Sequence, residues 1–200
     1  RARLQELVIL WIDLHLRLAP PSQLEQARAE ARAMIAEAER ACGPSFGLAL
    51  AREQLGEAPA AQSRPQTAWE YCTLSRLALN RGDVDAAMRF TRSALDLEPL
   101  GFVPNFYSGV CALRQKRYDE AARAFSFCVG QNPCAECFVL RGQAYIALGE
   151  REQALKDFDH ALELNPELGV AYLQRGNLHQ QMGRQQESQR DLAIAKRLSE

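Results

Sequence analysis

Apolar residues recur along this chain at intervals of three and four, broken by short Gly- and Pro-containing segments, a period that predicts amphipathic helices. In the first third the pattern places helices near Arg3–Leu18, Gln23–Ala41 and Phe46–Leu55. Pro20-Pro21 separates the first two and Gly43-Pro44 breaks the second from the third, since proline cannot continue a helix. Ser22 with Glu25 and Thr67 with Glu70 have the spacing of capping boxes. The most apolar run, Leu7–Ile12, is interrupted by Asp13, His15 and Arg17. It falls far short of the roughly 20 residues a membrane span needs and reads as a buried helix. Gly56–Gln66, rich in Ala, Pro and Gln, reads as a loop. The chain thus divides into an N-terminal helical segment over 1–56, a connection over 57–67 and a longer array over 68–200. The N-terminal helices read as degenerate repeat-like pairs, with a separate helical hairpin on a hinge as the alternative.

Beyond residue 67 the chain repeats itself. Residues 135–168 carry Gly142, Tyr145, Ala154, Phe158, Ala161 and Pro166. A shift of 34 forward meets Gly176, His179, Ser188, Leu192 and Ala195. A shift of 33 back meets Gly109, Ala112, Ala121, Phe125, Cys128 and Pro133, and a further 34 back meets Ser75, Ala78, Ala87, Thr91, Ala94 and Pro99. Four copies follow, at 68–101, 102–134, 135–168 and 169–200. Small residues at the first position let two antiparallel helices approach closely, and large groups at Phe125, Phe158 and Leu192 fill the space between one pair and the next. Gly82, Gly149 and Gly183 stand where a first helix must end in a left-handed turn. Lys116 holds that turn in the second copy, which predicts strain there, and Phe90 stands beside Thr91 as a substitute for the missing bulky group.

This spacing resembles the tetratricopeptide repeat. The resemblance implies an all-α fold, a right-handed superhelix of antiparallel helix pairs (a TPR α-solenoid), whose first helices line a concave face that binds a protein or peptide. Helical spacing puts Trp69, Cys72, Arg76 and Asn80 of the first copy on that face. Phe106, Val110 and Arg114 follow from the second, Val139, Gln143 and Ile146 from the third, and Val170, Leu173 and Asn177 from the fourth. Many are apolar, which suits a peptide with apolar anchors or a helix laid into the groove. Some members of the family clamp the terminal carboxylate of a chaperone tail with Lys and Asn. Here the corresponding positions read Cys72, Arg76, Tyr107, Glu136 and Leu140, and Glu136 would repel a carboxylate. The aromatic usual in the first helix is replaced by Asn105 in the second copy. The run Pro104-Asn105-Phe106-Tyr107-Ser108-Gly109-Val110-Cys111, with Phe125-Ser126-Phe127-Cys128, Ala135-Glu136-Cys137 and the Gly43-Pro44-Ser45 break, is similar to the C-terminal repeat region of large bacterial Ser/Thr protein kinases. That similarity implies a regulatory or scaffolding segment, and the first residue, Arg, reads as a cut from a longer protein.

Charge changes the picture little. Lys+Arg 24 against Asp+Glu 25 gives a net charge of −1, which argues against a nucleic-acid or anionic-membrane partner held by bulk charge. The chain has no phosphate loop, nucleophile elbow or zinc helix, and His15, His160 and His179 are scattered, so no catalysis and no cofactor is expected. His179 occupies the Tyr145 slot and reads as packed and hydrogen-bonded; Arg190-Asp191-Leu192 is a chance likeness to a kinase loop. Of the 6 cysteines, Cys42, Cys72, Cys111 and Cys128 read as small core residues, reduced as in a cytoplasmic protein. Cys134 and Cys137 form a Cys-x-x-Cys near Cys128, which opens a thiol-based metal or redox sensor as one alternative function. The bland reading has Cys128 in the Ala161 slot, pointing away from the other two, with no fourth ligand. The remaining alternative is a homodimer packed through the C-terminal edge at Leu192 and Leu198.

Overall fold

The computed structural model describes residues 2–43, 45–57 and 64–199; Pro44 of the predicted break and residues 58–63 of the predicted loop lie outside them. Helix is the regular structure throughout the described residues: α1 (Ala2–Leu18), α2 (Leu24–Cys42), α3 (Phe46–Gln54), α4 (Ala68–Asn80), α5 (Val84–Leu97), α6 (Phe102–Arg114), α7 (Tyr118–Gln131), α8 (Ala135–Leu148), α9 (Arg151–Leu164), α10 (Gly169–Gln181) and α11 (Gln185–Arg197). They gather into two compact units, Arg1–Thr73 and Leu74–Glu200.

In the first unit α1 packs on both α2 and α3, which touch each other. Ile9 and Ile12 meet Ala31, Ile35 and Ala38 of α2 and Leu48 and Ala51 of α3. A Cβ on Gly47 would come within 2.7 Å of the Ile9 side chain, so α1 and α3 approach only because that residue has none. The Thr67–Glu70 capping box forms: the Glu70 amide donates to Thr67 Oγ1 and the Thr67 amide to Glu70 Oε2, both at 3.2 Å. The same buried carboxylate takes the Gly47 amide at 3.2 Å, so one anion serves the N-termini of α3 and α4.

Two local expectations are corrected. The Ser22–Glu25 capping box does not form, because Pro21–Gln23 closes a 3₁₀ turn ahead of α2 and Gln23 stands at its N-cap with no side-chain bond. Glu25 instead accepts from Arg28 at 2.6 Å. Nor is Leu7–Ile12 buried as a run. Ile9 and Ile12 enter the core, whereas Leu7 is 63% exposed, and Leu10 and Trp11 face outward with it.

In the second unit each helix packs on the next from α5 onward, and the first helices α6, α8 and α10 lie side by side. The large residues of α7, α9 and α11 lie over the small residues of their own pair, and Phe125 and Phe158 also share core clusters with α8 and α10 of the next pair. A Cβ on Gly109 would sit 2.7 Å from the Phe125 ring, one on Gly142 2.7 Å from Phe158, and one on Gly176 3.0 Å from Leu192. The first copy solves the same packing with hydroxyls. Ser75 and Thr91, both fully buried, hydrogen-bond at 2.7 Å, with Cys111 Sγ 3.7 Å from Thr91 Oγ1. Ser75 therefore compensates for Thr91 beside Phe90, which packs against the Ala78, Ala87 and Cys111 core. Asn105, in place of the first-helix aromatic, donates to the carbonyls of Pro99 at 2.9 Å and Gly101 at 2.8 Å and ties down the preceding turn.

The third and fourth copies share an ion pair in register. Arg141 grips Asp157 through two bonds of 2.9 and 2.7 Å and reaches Ser126 Oγ of α7 at 3.2 Å. Arg175, 34 residues on, grips Asp191 through bonds of 2.7 and 2.8 Å and reaches Asp159 of α9 at 2.6 Å. Each guanidinium thus joins its own second helix to that of the preceding copy. Asp191 of the kinase-like tripeptide is a buried packing residue. His179 packs there too, its Nε2 4.0 Å from Asp191 Oδ2, but its buried Nδ1 has no partner, contrary to the hydrogen-bonded expectation.

Lys116 is held at φ 60°, where Gly149 sits at 81° in the third copy, and a side chain there costs about 1–2 kcal/mol. After the entropy that glycine adds to the unfolded chain, Lys116→Gly raises stability by about 0.5–1 kcal/mol in urea unfolding; no gain would mean the turn is unstrained. Thr91→Phe alone overpacks against Ser75 and strips its hydroxyl of a partner, costing about 2–4 kcal/mol. The Ser75→Gly/Thr91→Phe pair recreates the arrangement of the other copies and recovers most of that loss. Additive single effects would refute the shared-volume account.

Candidate functional site

The first helices α4, α6, α8 and α10 share one register along the sequence. Their second residues are Trp69, Val103, Glu136 and Val170; their fifth are Cys72, Phe106, Val139 and Leu173; their ninth are Arg76, Val110, Gln143 and Asn177. Trp69 and Cys72 fall in the first unit, where Trp69 packs on the α1–α3 core. The rest fall in the second unit.

The fifth residue behaves differently from its neighbours. Val139 is 3% exposed, in one core cluster with Ala171 of the adjacent α10, and Cys72 is 2% exposed. Both expected groove residues are core residues, Val139 because the neighbouring first helix α10 packs over it. Phe106 is half-buried, edge-on to Phe125 with ring centroids 5.9 Å apart. Leu173 has no following helix beside it among the described residues and is 43% exposed. Val110, Gln143 and Ile146 are half-buried, while Arg114, Asn177, Asn80 and Val170 are exposed; Arg76 is half-buried. The surviving face is thus a partly apolar floor at Phe106, Val110 and Ile146 with polar groups at its margin.

Its electrostatics are muted. The Arg141 and Arg175 guanidiniums are held charged above the ordinary arginine range, chiefly by their hydrogen bonds to Asp157 and Asp191. Arg141 also lies over the Phe138 ring at 5.4 Å, and Arg175 over Tyr172 at 5.5 Å. Both cations are spent inside the fold. Periodicity missed them, although Arg and Asp recurring 34 residues apart was a visible signal.

Two further surfaces stand out. Leu4, Leu7, Trp11, Leu14 and Leu18 of α1 are exposed at steps of three and four, a stripe opposite the Ile9–Ile12 side. At the other end, Leu168, Val170, Leu173, Leu192 and Leu198 border an open hollow of about 590 Å³. The thiols also differ from expectation: Cys128 lies beside Cys137 rather than pointing away from it, and its thiol donates to the Phe102 carbonyl at 3.8 Å. Among the described residues no group of three His, Cys, Asp or Glu side chains is arranged to hold a metal ion, and no helix is long and apolar enough to cross a membrane.

Comparison with known proteins fits this geometry. Residues 135–168 match the tetratricopeptide repeat family. The chain is 30% identical over 93 residues to NADPH oxidase activator 1 of Rattus norvegicus, a match covering 46% of this chain and 20% of that one. The chain therefore spans about a fifth of the length of that curated relative. A thermophilic tetratricopeptide-repeat protein of Thermus thermophilus superposes with TM-score 0.62 at 22% identity, covering 66% of this chain and 74% of the other. YrrB, a tetratricopeptide-repeat protein with an unusual peptide-binding site, superposes with TM-score 0.56 at 21% identity, covering 66% and 68%. The fold is that of the tetratricopeptide-repeat proteins, an all-α solenoid with a recognisable repeat of that family at its third copy.

Proposed function

We propose that this chain is a protein–protein interaction module that holds a peptide or helix of a partner against the face of α6, α8 and α10. The observation that carries this reading is the half-buried apolar floor of Phe106, Val110 and Ile146, bordered by Arg114, Gln143 and Asn177. A peptide-binding site on a solved protein of the same fold supports it. The four copies at 68–101, 102–134, 135–168 and 169–200 form the binding array in this reading, preceded by the helical segment over 1–56 and the connection over 57–67. The similarity to the repeat region of bacterial Ser/Thr kinases supports reading the module as a cytoplasmic regulatory or scaffolding segment of a larger bacterial protein, itself without catalytic groups.

Displayed random peptides provide the test. Panning on the wild-type chain enriches sequences with two or more apolar anchors, and Val110→Asp weakens their capture by at least tenfold, a loss of about 1.4 kcal/mol or more. Equal capture by the variant, with its helical circular dichroism intact, would place binding elsewhere.

A second reading, self-association, is favoured by the exposed α1 stripe. An antiparallel pairing of two copies sets Leu4 opposite Leu18, Leu7 opposite Leu14 and Leu10 opposite Trp11. It would take on the order of 1,000 Å² out of water, the lower edge for a specific interface. Light scattering over a wide concentration range then shows a dimer that Leu7→Gln/Leu14→Gln converts to monomer. A dimer that survives those changes points to the hollow bordered by Leu192 and Leu198, and a wild-type monomer throughout refutes this reading.

A further inference from the structure

The thiols near the start of α8 take no part in the proposed binding face, and their arrangement is that of a reactive pair. Cys134 is the N-cap of α8, with extended backbone at φ −132° and ψ 146°, and its sulfur accepts the Cys137 amide at 3.4 Å. Its Sγ lies 2.6 Å from Cys137 Sγ. Both are reduced thiols and they differ in access, Cys134 being half-buried and Cys137 fully buried. Cys137 has a second sulfur neighbour in Cys128 of α7, which also points its thiol at the Phe102 carbonyl at 3.8 Å. Hydrogen bonding to Cys128 and burial both push the Cys137 thiol up, so it stays protonated until a disulfide forms beside it.

These features divide the labour. Cys134 is the sulfur a reagent can meet, held at the N-cap of α8 with its Sγ facing the Cys137 amide. The buried sulfur cannot meet a bulky reagent but is already within reach of its partner. We infer that Cys134 and Cys137 form a dithiol redox site that exchanges with a disulfide co-substrate, Cys134 attacking and Cys137 resolving.

The exchange balances without a further reagent. The Cys134 thiolate attacks one sulfur of R–S–S–R, forming a mixed disulfide and releasing one RS⁻, which takes up the proton Cys134 had lost. Cys137 then loses its proton and attacks Cys134 Sγ, closing the protein disulfide and releasing the second thiol. The protein gives up two electrons and two protons, and R–S–S–R becomes two R–SH. Cys128 positions the resolving thiol and is not consumed. The site lies where α7 hands over to α8, so its oxidation state is set at the joint between the second and third copies.

Oxidised glutathione is the probe, with thiol titration and peptide mapping as readouts. The native chain should lose two of its 6 cysteine thiols and gain one internal disulfide. Cleavage after Glu136 separates Cys134 from Cys137, so the two pieces stay joined only while the bond is intact. Cys128→Ala retains that link, Cys134→Ser slows thiol loss at least tenfold, and Cys137→Ser accumulates glutathione on Cys134. An unchanged thiol count after treatment of the native chain would overturn the inference, whatever the variants do. So would a Cys128–Cys137 link that Cys128→Ala abolishes.

Discussion

The closest approach of the two helices in each pair governs the repeat array. Phe158 lies against a Gly142 that could not carry even a Cβ, and Phe125 does the same over Gly109. A ring seated there fixes the helix separation, and with it where the next first helix can land. The constraint is on volume shared by two positions rather than on either residue. Where the chain gives up glycine, at Ser75, it also gives up the ring, at Thr91, and a hydroxyl pair fills the gap. Where the ring shrinks to Leu192, the contact over Gly176 relaxes to 3.0 Å. Close-packed interiors demand such trades, because a surplus of one methylene forces neighbours off their rotamers.

The recurring arginines act on top of this packing. Arg141 and Arg175 each hold an aspartate of their own pair and a side chain of the previous one, Ser126 or Asp159. A buried ion pair gives little net stability once desolvation is counted, but removing one partner leaves a charge stranded. Its main effect is to penalise any other register of third copy against fourth. It also takes both guanidiniums away from a ligand, which leaves the face of the first helices more apolar than its arginine content implies.

Features decided within a few residues were legible in the sequence. The helix ends, the capping box at Thr67 and the left-handed turn at Lys116 depend on local backbone chemistry, and the structure has all three. The Ser22 box is the exception among the local features: the two prolines just before it draw its backbone into a 3₁₀ turn. Features decided by a distant neighbour were not legible. The thiol of Cys128 turns toward Cys137 because α7 runs directly into α8, a relation that reading Cys128 as an Ala161 equivalent obscured. Periodicity could not say which side of α1 is covered, since that helix is apolar on both. Nor could it reveal that Cys72 and Val139 are core residues, because equal spacing along a helix says nothing about what stands next to it.

The burial of those two residues defines the binding face more sharply. Val139 and Leu173 hold the same place in consecutive first helices, yet one is 3% exposed and the other 43%, and they differ in whether another first helix lies alongside. Val139 therefore sets the spacing of α8 and α10, whereas Phe106, at the same place in α6, stays half-buried in the floor. Under the proposed function, contact with a ligand falls to Phe106 and Val110 of α6, Gln143 and Ile146 of α8 and Asn177 of α10. In the second unit the ninth residues run Arg76, Val110, Gln143 and Asn177, apolar at α6 and amide-bearing at α8 and α10. Under the proposed function that gradient gives the face a direction. The apolar anchor of a bound segment sits at α6, and its hydrogen-bonding backbone lies toward α10, so a reversed peptide would set polar groups on Val110 and leave the two amides facing apolar side chains.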